Sequence, residues 1–188
     1  MDAALLLAIN GLRTPLLDGP LGWLGSWGYL AFPLVIGALA LRDRSPAALR
    51  SLLDGWLAYL LALFLVETIL KPLVDRPRPS AVASLAPSLE VLGSAARSPS
   101  FPSGTGAACA AGVAWLILRH RDERAGRLAL LLAAPLGLVT SLARLYAAAH
   151  WPSDLLAGWL VGAGTAWLVH RLTRDQIAAA NARPNSSG

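Results

Sequence analysis

Charge is scarce in these 188 residues: 14% are Asp, Glu, Lys or Arg, against 55% hydrophobic. Mean hydropathy is +0.54. That balance excludes an ordinary soluble globule and points to a polytopic membrane protein. Cysteine is nearly absent. The single Cys109 lies inside an apolar run and has no partner for an internal disulfide. No long internal repeat and no low-complexity domain occurs. The start, MDAALLLAINGLR, lacks a basic leader and has a short apolar core, so no cleavable signal peptide is expected. Acidic residues are outnumbered, giving a formal net charge of +5. The basic residues fall in short loops between apolar runs. They therefore speak for membrane orientation and anionic lipid, not for nucleic acid.

What is present is a series of apolar runs. A helical crossing takes about 17–25 residues. Five runs qualify: Pro20–Leu41, Ser51–Leu70, Ser103–Leu118, Leu128–Ala143 and Pro152–Val169, the third and fourth being short and nearly upright. Residues 3–12 are apolar but too few to span, and read as an interfacial helix. The expected fold is an all-α membrane protein: a bundle of about five transmembrane helices plus that N-terminal helix. Residues 1–174 form one domain, and 175–188 a polar, mobile tail. Trp23, Trp27, Trp56, Trp151, Trp167 and Tyr146 lie toward span ends and read as an aromatic belt. Five crossings put ten basic residues on one side: Arg42, Arg44, Arg50, Arg119, Arg121, Arg124, Arg127, Arg171, Arg174 and Arg183. The other side holds six, namely Arg13, Lys71, Arg76, Arg78, Arg97 and Arg144. The positive-inside rule makes the first side cytoplasmic and the second the outer face.

Three clusters emerge on that outer face. The first is Lys71-Pro-Leu-Val-Asp-Arg-Pro-Arg-Pro79. Pro72 is expected to end the second span, and Pro77 and Pro79 to hold the chain extended. Lys71, Arg76 and Arg78 are thus presented from a stiff segment, and Glu67 lies one turn before Lys71, placed to steady it. The second is Phe101-Pro-Ser-Gly-Thr-Gly106. Ser103 can cap the third span, Gly104 admits close approach, and the helix start favours an anion. Nothing in this stretch ionises near neutral pH. The third runs from Arg144 through His150 to Asp154, with Pro152 suited to a first helical turn. Arg144 offers a planar fork for phosphate oxygens, and a carboxylate near an imidazole sets its tautomer. Taken singly these are snorkelling cations, a Ser cap, and a surface His beside a cap. Together they describe a phosphoryl-transfer site, with cations and amides around an attacking imidazole.

These residues resemble a known signature. Lys71-x6-Arg78-Pro79, Pro102-Ser103-Gly104 and Arg144-x5-His150-x3-Asp154 look like the three-part motif of the type 2 phosphatidic acid phosphatases (PAP2), membrane relatives of the vanadium haloperoxidases. The opening, AINGLRTPLLDGPLGWLGSWGYLAFP, is also similar to the start of the bacterial undecaprenyl-pyrophosphate phosphatases of that family. The resemblance implies a PAP2/haloperoxidase-like helical core. Lys71, Arg78 and Arg144 would bind phosphate oxygens, with hydrogen bonds from Ser103 and the Gly104 amide, and Thr105 would complete the phosphate-binding set. His150 would attack and carry a phosphohistidine, oriented by Asp154. No metal or other cofactor is implied, and the site would face the exterior of a bacterial inner membrane.

Two positions depart from that pattern. The family usually has His after Pro-Ser-Gly, where it protonates the leaving oxygen; this chain has Thr105. The other histidines, His120 and His170, lie at the far ends of their spans and cannot replace it. The family often has Ser immediately before the motif's last Arg; here that position is Ala143 and the nearest Ser is Ser141. A lipid alcohol leaves near the pKa of water, about 15.7. A phosphate monoester leaving from a pyrophosphate has a second pKa of about 6 and needs little help. The function expected is therefore a membrane lipid phosphatase acting on a lipid pyrophosphate, undecaprenyl pyrophosphate first. Phosphatidylglycerol phosphate, phosphatidic acid, lipid A and a diacylglycerol pyrophosphate stay open as substrates. The alternatives are a lipid phosphotransferase, or a phospholipid binder or transporter that keeps the cradle without turnover. The outer loop Ser80–Ser100 reads either as a lid or as a surface connection with a short apolar helix around Leu85–Leu92.

Overall fold

The computed structural model describes residues 1–92 and 98–181, with side chains described through Arg174. It is all-helical among the described residues. Helix α1 covers Asp2–Asn10, α2 Pro15–Trp27, α3 Ala31–Asp43, α4 Pro46–Phe64, α5 Lys71–Val74, α6 Gly104–His120, α7 Arg124–Tyr146 and α8 Pro152–Asn181. A 3-10 turn at Gly28–Leu30 joins α2 to α3, and a π-helical segment at Leu65–Leu70 joins α4 to α5. Two rods thus run unbroken past the expected ends of the first two spans. Pro72 does not stop the second rod. It lies where the π-helical segment passes directly into α5, and the helix ends only at Asp75, in a left-handed conformation (φ 45°).

The stretches Pro15–Asp43, Pro46–Ala81 and Arg124–Tyr146 are long and apolar enough to cross a membrane. Helices α6 and α8 belong to the same bundle but are less apolar, for a physical reason. Helix α6, with 17 residues, is the central rod and is packed on several sides. Its surface is made of small residues: Gly104, Gly106, Ala107, Ala108, Ala111 and Gly112 are buried. Small residues let helix backbones approach where lipid offers no hydrophobic drive. Gly158 and Gly162 of α8 meet the main chain of α6 at Ser103 and Ala107 so closely that a Cβ at either would collide with a carbonyl oxygen. The ring of Phe32 in α3 likewise lies over Gly112. Outward faces carry Leu34, Leu53, Leu60, Leu131, Leu132 and Leu160, all exposed, as suits a surface solvated by lipid.

Of the residues read as an aromatic belt, Trp23, Trp27, Trp56 and Trp167 are exposed, but Trp151 and Tyr146 are buried beneath α1 and serve the packing of that end of the bundle. Leu6 of α1 is fully buried against Leu89, Leu145, Ala148, Trp151 and Leu155. Asn10 donates to the carbonyls of Tyr146 (2.8 Å) and Glu90 (3.0 Å) and accepts from the Glu90 amide (3.0 Å). Tyr146 donates to Asp18 (2.7 Å), which is paired with Arg13 (2.6 Å). Among its described residues the segment between α5 and α6 holds two single 3-10 turns, Pro79–Ala81 and Ala86–Ser88, and no longer helix over 85–92. The backbone of α8 continues helically past Arg174, where the tail was expected to begin, to Asn181. Arg97, Arg183 and residues 182–188 lie outside the described residues.

Gly162→Ala is expected to force α6 and α8 apart and cost about 1–3 kcal/mol. The neighbouring Gly164 has open space around it, so Gly164→Ala should be neutral or gain up to about 1 kcal/mol. Thermal unfolding of the two variants in detergent checks this: equal midpoints would refute the close-packing account.

Candidate active site

The site is built where the ends of α5 and α7 meet the starts of α6 and α8. Ser103 caps α6 by accepting from the Gly106 amide (3.2 Å). Its own amide donates to the carbonyl of Asp154 (2.9 Å), joining the first turns of α6 and α8. Helix α7 ends at Tyr146, and Ala148 takes a left-handed conformation (φ 53°) that turns the chain toward His150. Helix α8 starts at Pro152. The Phe101–Pro102 peptide is cis.

His150 is buried, with 2% exposure. Its Nδ1 lies 2.8 Å from the carbonyl oxygen of Ser100. A carbonyl can only accept, so Nδ1 carries the proton and Nε2 the lone pair. Nε2 has no hydrogen-bond partner among the described residues. Burial is the largest influence on this ring, and the Arg144 and Arg78 charges add to it. Against the pull of Asp154, they lower the pKa from the ordinary 6.5 to about 4. The imidazole is therefore neutral at physiological pH.

Asp154 is fully buried and does more than face His150. Its Oδ2 accepts from the Trp151 amide (2.9 Å) and lies 3.5 Å from His150 Nδ1. Its Oδ1 is paired with Arg76 Nη1 at 2.6 Å. Arg76 also binds Asp2 of α1 (2.9 Å) and stacks over the Trp151 ring at 5.0 Å. Asp2 in turn holds Ser153 through its amide (3.1 Å) and its hydroxyl. Arg76 is thus committed to buttressing Asp154. Ser100 is held from below, its amide donating to the Arg76 carbonyl (2.9 Å).

The other cations gather beside the ring. Arg78 is 6% exposed and anchored by the carbonyls of Ser98 (2.8 Å) and Ala149 (2.7 Å) and by the Ser98 hydroxyl (3.0 Å). Lys71 Nζ binds both carboxylate oxygens of Glu67, at 2.7 and 2.8 Å. Arg144 touches the Gly25 carbonyl at 3.3 Å, and its buried Nε has no partner among the described residues. Lys71, Arg78 and Arg144 lie near enough to feel each other's charge, and Arg78 and Arg144 are near enough to bear on His150. Gly104 is buried and Thr105 half-buried at the start of α6. Ser141 lies apart from this cluster. It donates to Gly137 (2.8 Å) and accepts from Trp159 (3.1 Å), a link between α7 and α8. His120 is at the opposite end of α6, bonded to Ser51 (3.0 Å), about 25 Å away along the helix.

The structure brings Lys71, Arg78, Arg144, His150 and Asp154 into one neighbourhood, with Ser103 and Gly104 joined to it through the first turn of α6. Sequence reasoning missed three parts: the Ser100 carbonyl on His150, the second partner of Asp154, and Asp2. A main-chain acceptor has no residue signature, and Asp2 is remote in sequence.

Such an arrangement, cations around an unprotonated imidazole nitrogen at the end of a membrane helix bundle, defines an integral-membrane protein of the lipid-phosphatase type. A family model described as PAP2 superfamily matches residues 55–178, and the chain belongs to that superfamily. It is similar to two solved structures. One is Aquifex aeolicus LpxE, at 25% identity and a TM-score of 0.72, covering 90% of this chain and 94% of that one. The other is a transmembrane PAP2-type phosphatidylglycerolphosphate phosphatase from Bacillus subtilis, at 22% identity and a TM-score of 0.68, covering 93% and 85%. Among curated proteins no sequence matches.

The low pKa of His150 has a measurable sign. Between pH 6.5 and about 4 the unfolded chain takes a proton on this ring and the folded protein does not, so the ring's contribution to stability falls as pH drops through that window. Imidazole 15N shifts are expected to show a neutral ring protonated on Nδ1 at pH 6, titrating near 4. Titration near 6.5, or a proton on Nε2, would refute the site geometry.

Proposed function

We propose that this protein is a metal-independent membrane lipid phosphatase working through a phosphohistidine at His150. Its preferred substrate is a lipid pyrophosphate, undecaprenyl pyrophosphate first. The observation that carries the reading is the gathering of Lys71, Arg78 and Arg144 beside a buried, neutral imidazole whose Nε2 has no partner among the described residues. In the proposed reaction Nε2 attacks phosphorus, and the N–P bond forms as the bond to the leaving oxygen breaks. The three cations, the Ser103 region and the Gly104 amide hold the non-bridging oxygens. The ring becomes positive in this step. The Ser100 carbonyl keeps the Nδ1 proton, and the Asp154 carboxylate at 3.5 Å supports the new charge. Water then attacks phosphorus, the N–P bond breaks, and Nε2 departs with its electron pair. Orthophosphate is released and the water's proton passes to it or to solvent.

Thr105 supports the choice of leaving group. It stands where the family usually has a histidine acid, and its hydroxyl has no proton to give at a useful pKa. A departing phosphate monoester needs none. An apolar groove lined by Trp23, Leu24, Trp27, Leu30, Leu34 and Leu136 suits an acyl or prenyl chain, and Gly25, whose carbonyl accepts from Arg144, is on the same helix α2 as Trp23, Leu24 and Trp27. The charge asymmetry of the loops supports placing the site at the exterior face of a bacterial inner membrane. Phosphatidylglycerolphosphate, already among the open substrates, is also in the name of the Bacillus subtilis neighbour and is a monoester worth testing.

Phosphate release by the purified protein in detergent tests this. Release is expected from undecaprenyl pyrophosphate and at background level in His150→Ala. Undecaprenyl monophosphate, phosphatidic acid and phosphatidylglycerolphosphate should be poor substrates, with Thr105→His raising their cleavage by about 10²–10⁴. A preference for monoesters over the pyrophosphate would sink the substrate assignment, and activity in His150→Ala would sink the mechanism.

A further inference from the structure

Glu67 has no part in the reaction above, yet it is bonded to one of the cations and its charge bears on the other two. It is carried by the π-helical segment Leu65–Leu70 inside an otherwise α-helical rod. Such segments recur at functional sites because they re-aim side chains. Its carboxylate binds Lys71 Nζ through both oxygens, at 2.7 and 2.8 Å. The side chain of Lys71 is 6% exposed and that of Glu67 is 47% exposed, so the carboxylate is the more open of the pair. Its charge also bears on Arg78 and on Arg144. The other carboxylate of this region, Asp154, is taken by Arg76 and the Trp151 amide. On its remaining side Glu67 lies against Gly104, the first residue of α6. Any Cβ there would collide with Glu67 Oε1. The carboxylate thus sits where three cations and a helix start would draw an anion.

We propose that Glu67 is an internal counter-anion of the site: it holds Lys71 in the free protein and yields it to a phosphate oxygen when substrate binds. This rests on the phosphatase reading, since it takes the cation cluster as a phosphate seat. A phosphate brought to Lys71 with Glu67 in place would face a second negative charge at contact distance. Glu67 is half-exposed on a flexible stem and can swing out. The exchange sets a threshold for binding, because an anion must carry enough charge to displace a chelating carboxylate. It discriminates against weak anions and neutral headgroups in favour of phosphates of double charge.

The opposite role, in which Glu67 only steadies Lys71, has the opposite consequence. Removing a support weakens anion binding, whereas removing a competitor strengthens it. If the Lys71-free state makes up about 1–10% of the population, its apparent affinity is reduced by that fraction, and removing Glu67 tightens binding about tenfold to a hundredfold. Calorimetric titration of the full-length protein in detergent with inorganic phosphate reads this directly. Glu67→Gln and the shorter Glu67→Ala are both expected to bind at least about tenfold tighter than the unaltered protein, and adding Lys71→Met to either should abolish the gain. Phosphate binding by the unaltered protein that is equalled or weakened in both variants would overturn the counter-anion role alone. Absence of phosphate binding in all of them would overturn the phosphatase reading and this proposal with it.

Discussion

Two glycines about one helical turn apart, Gly158 and Gly162, let α8 press its main chain against Ser103 and Ala107 of α6. The rest of this end of the bundle follows from that approach. In lipid an apolar side chain gains little by leaving one apolar surrounding for another, so helices associate through close packing and hydrogen bonds. At this separation the Ser103 amide reaches the Asp154 carbonyl at 2.9 Å. The cap of α6 and the first turn of α8 become one unit, and the segments that carry Gly104 and His150 are fixed relative to each other. A wider spacing would keep the helices and lose the site.

The second constraint is charge taken out of water. Three of the buried ions here are matched: Arg78 by main-chain oxygens, Asp154 by Arg76 and an amide, Lys71 by Glu67, whereas Arg144 has the Gly25 carbonyl and a buried Nε with no partner among the described residues. Unmatched, any of them would cost several kcal/mol in desolvation. Matching has a topological consequence. Arg76 reaches both Asp154 and Asp2, so the N-terminal helix is tied by its second residue to the carboxylate beside His150. Helix α1 is therefore more than an interfacial anchor, and its Leu6 fills the apolar floor under the same region. The imidazole is left neutral among these pairs, and only reaction at Nε2 would give it a charge for Asp154 to meet.

Much of this was legible beforehand. Long apolar runs separated by short basic loops require helices in a membrane. The Ser103 cap, Pro152 at the start of α8 and the four-residue spacing of His150 and Asp154 are local patterns that the structure reproduces as geometry. Pro72 was misjudged because a proline looks the same in sequence whether it ends a helix or opens a new turn. Trp151 and Tyr146 were read as belt residues because α1, the element that covers them, lies more than 130 positions away.

Composition, period and spacing alone determined the helical membrane class and put Lys71, Arg78, Ser103, Arg144 and His150 on a single face of it, and the family resemblance marked Thr105 as a departure. Those features are written in side chains near one another in the chain. Tertiary structure alone decided that Arg76 serves Asp154 while Arg78, two residues on, serves the cation cluster. It also decided that the Ser100 carbonyl sets the tautomer of His150, and that Glu67 lies against Gly104. The reason is physical: a main-chain carbonyl or a missing Cβ carries no signature of its partner, and two arginines in one segment differ only in what the fold places before them.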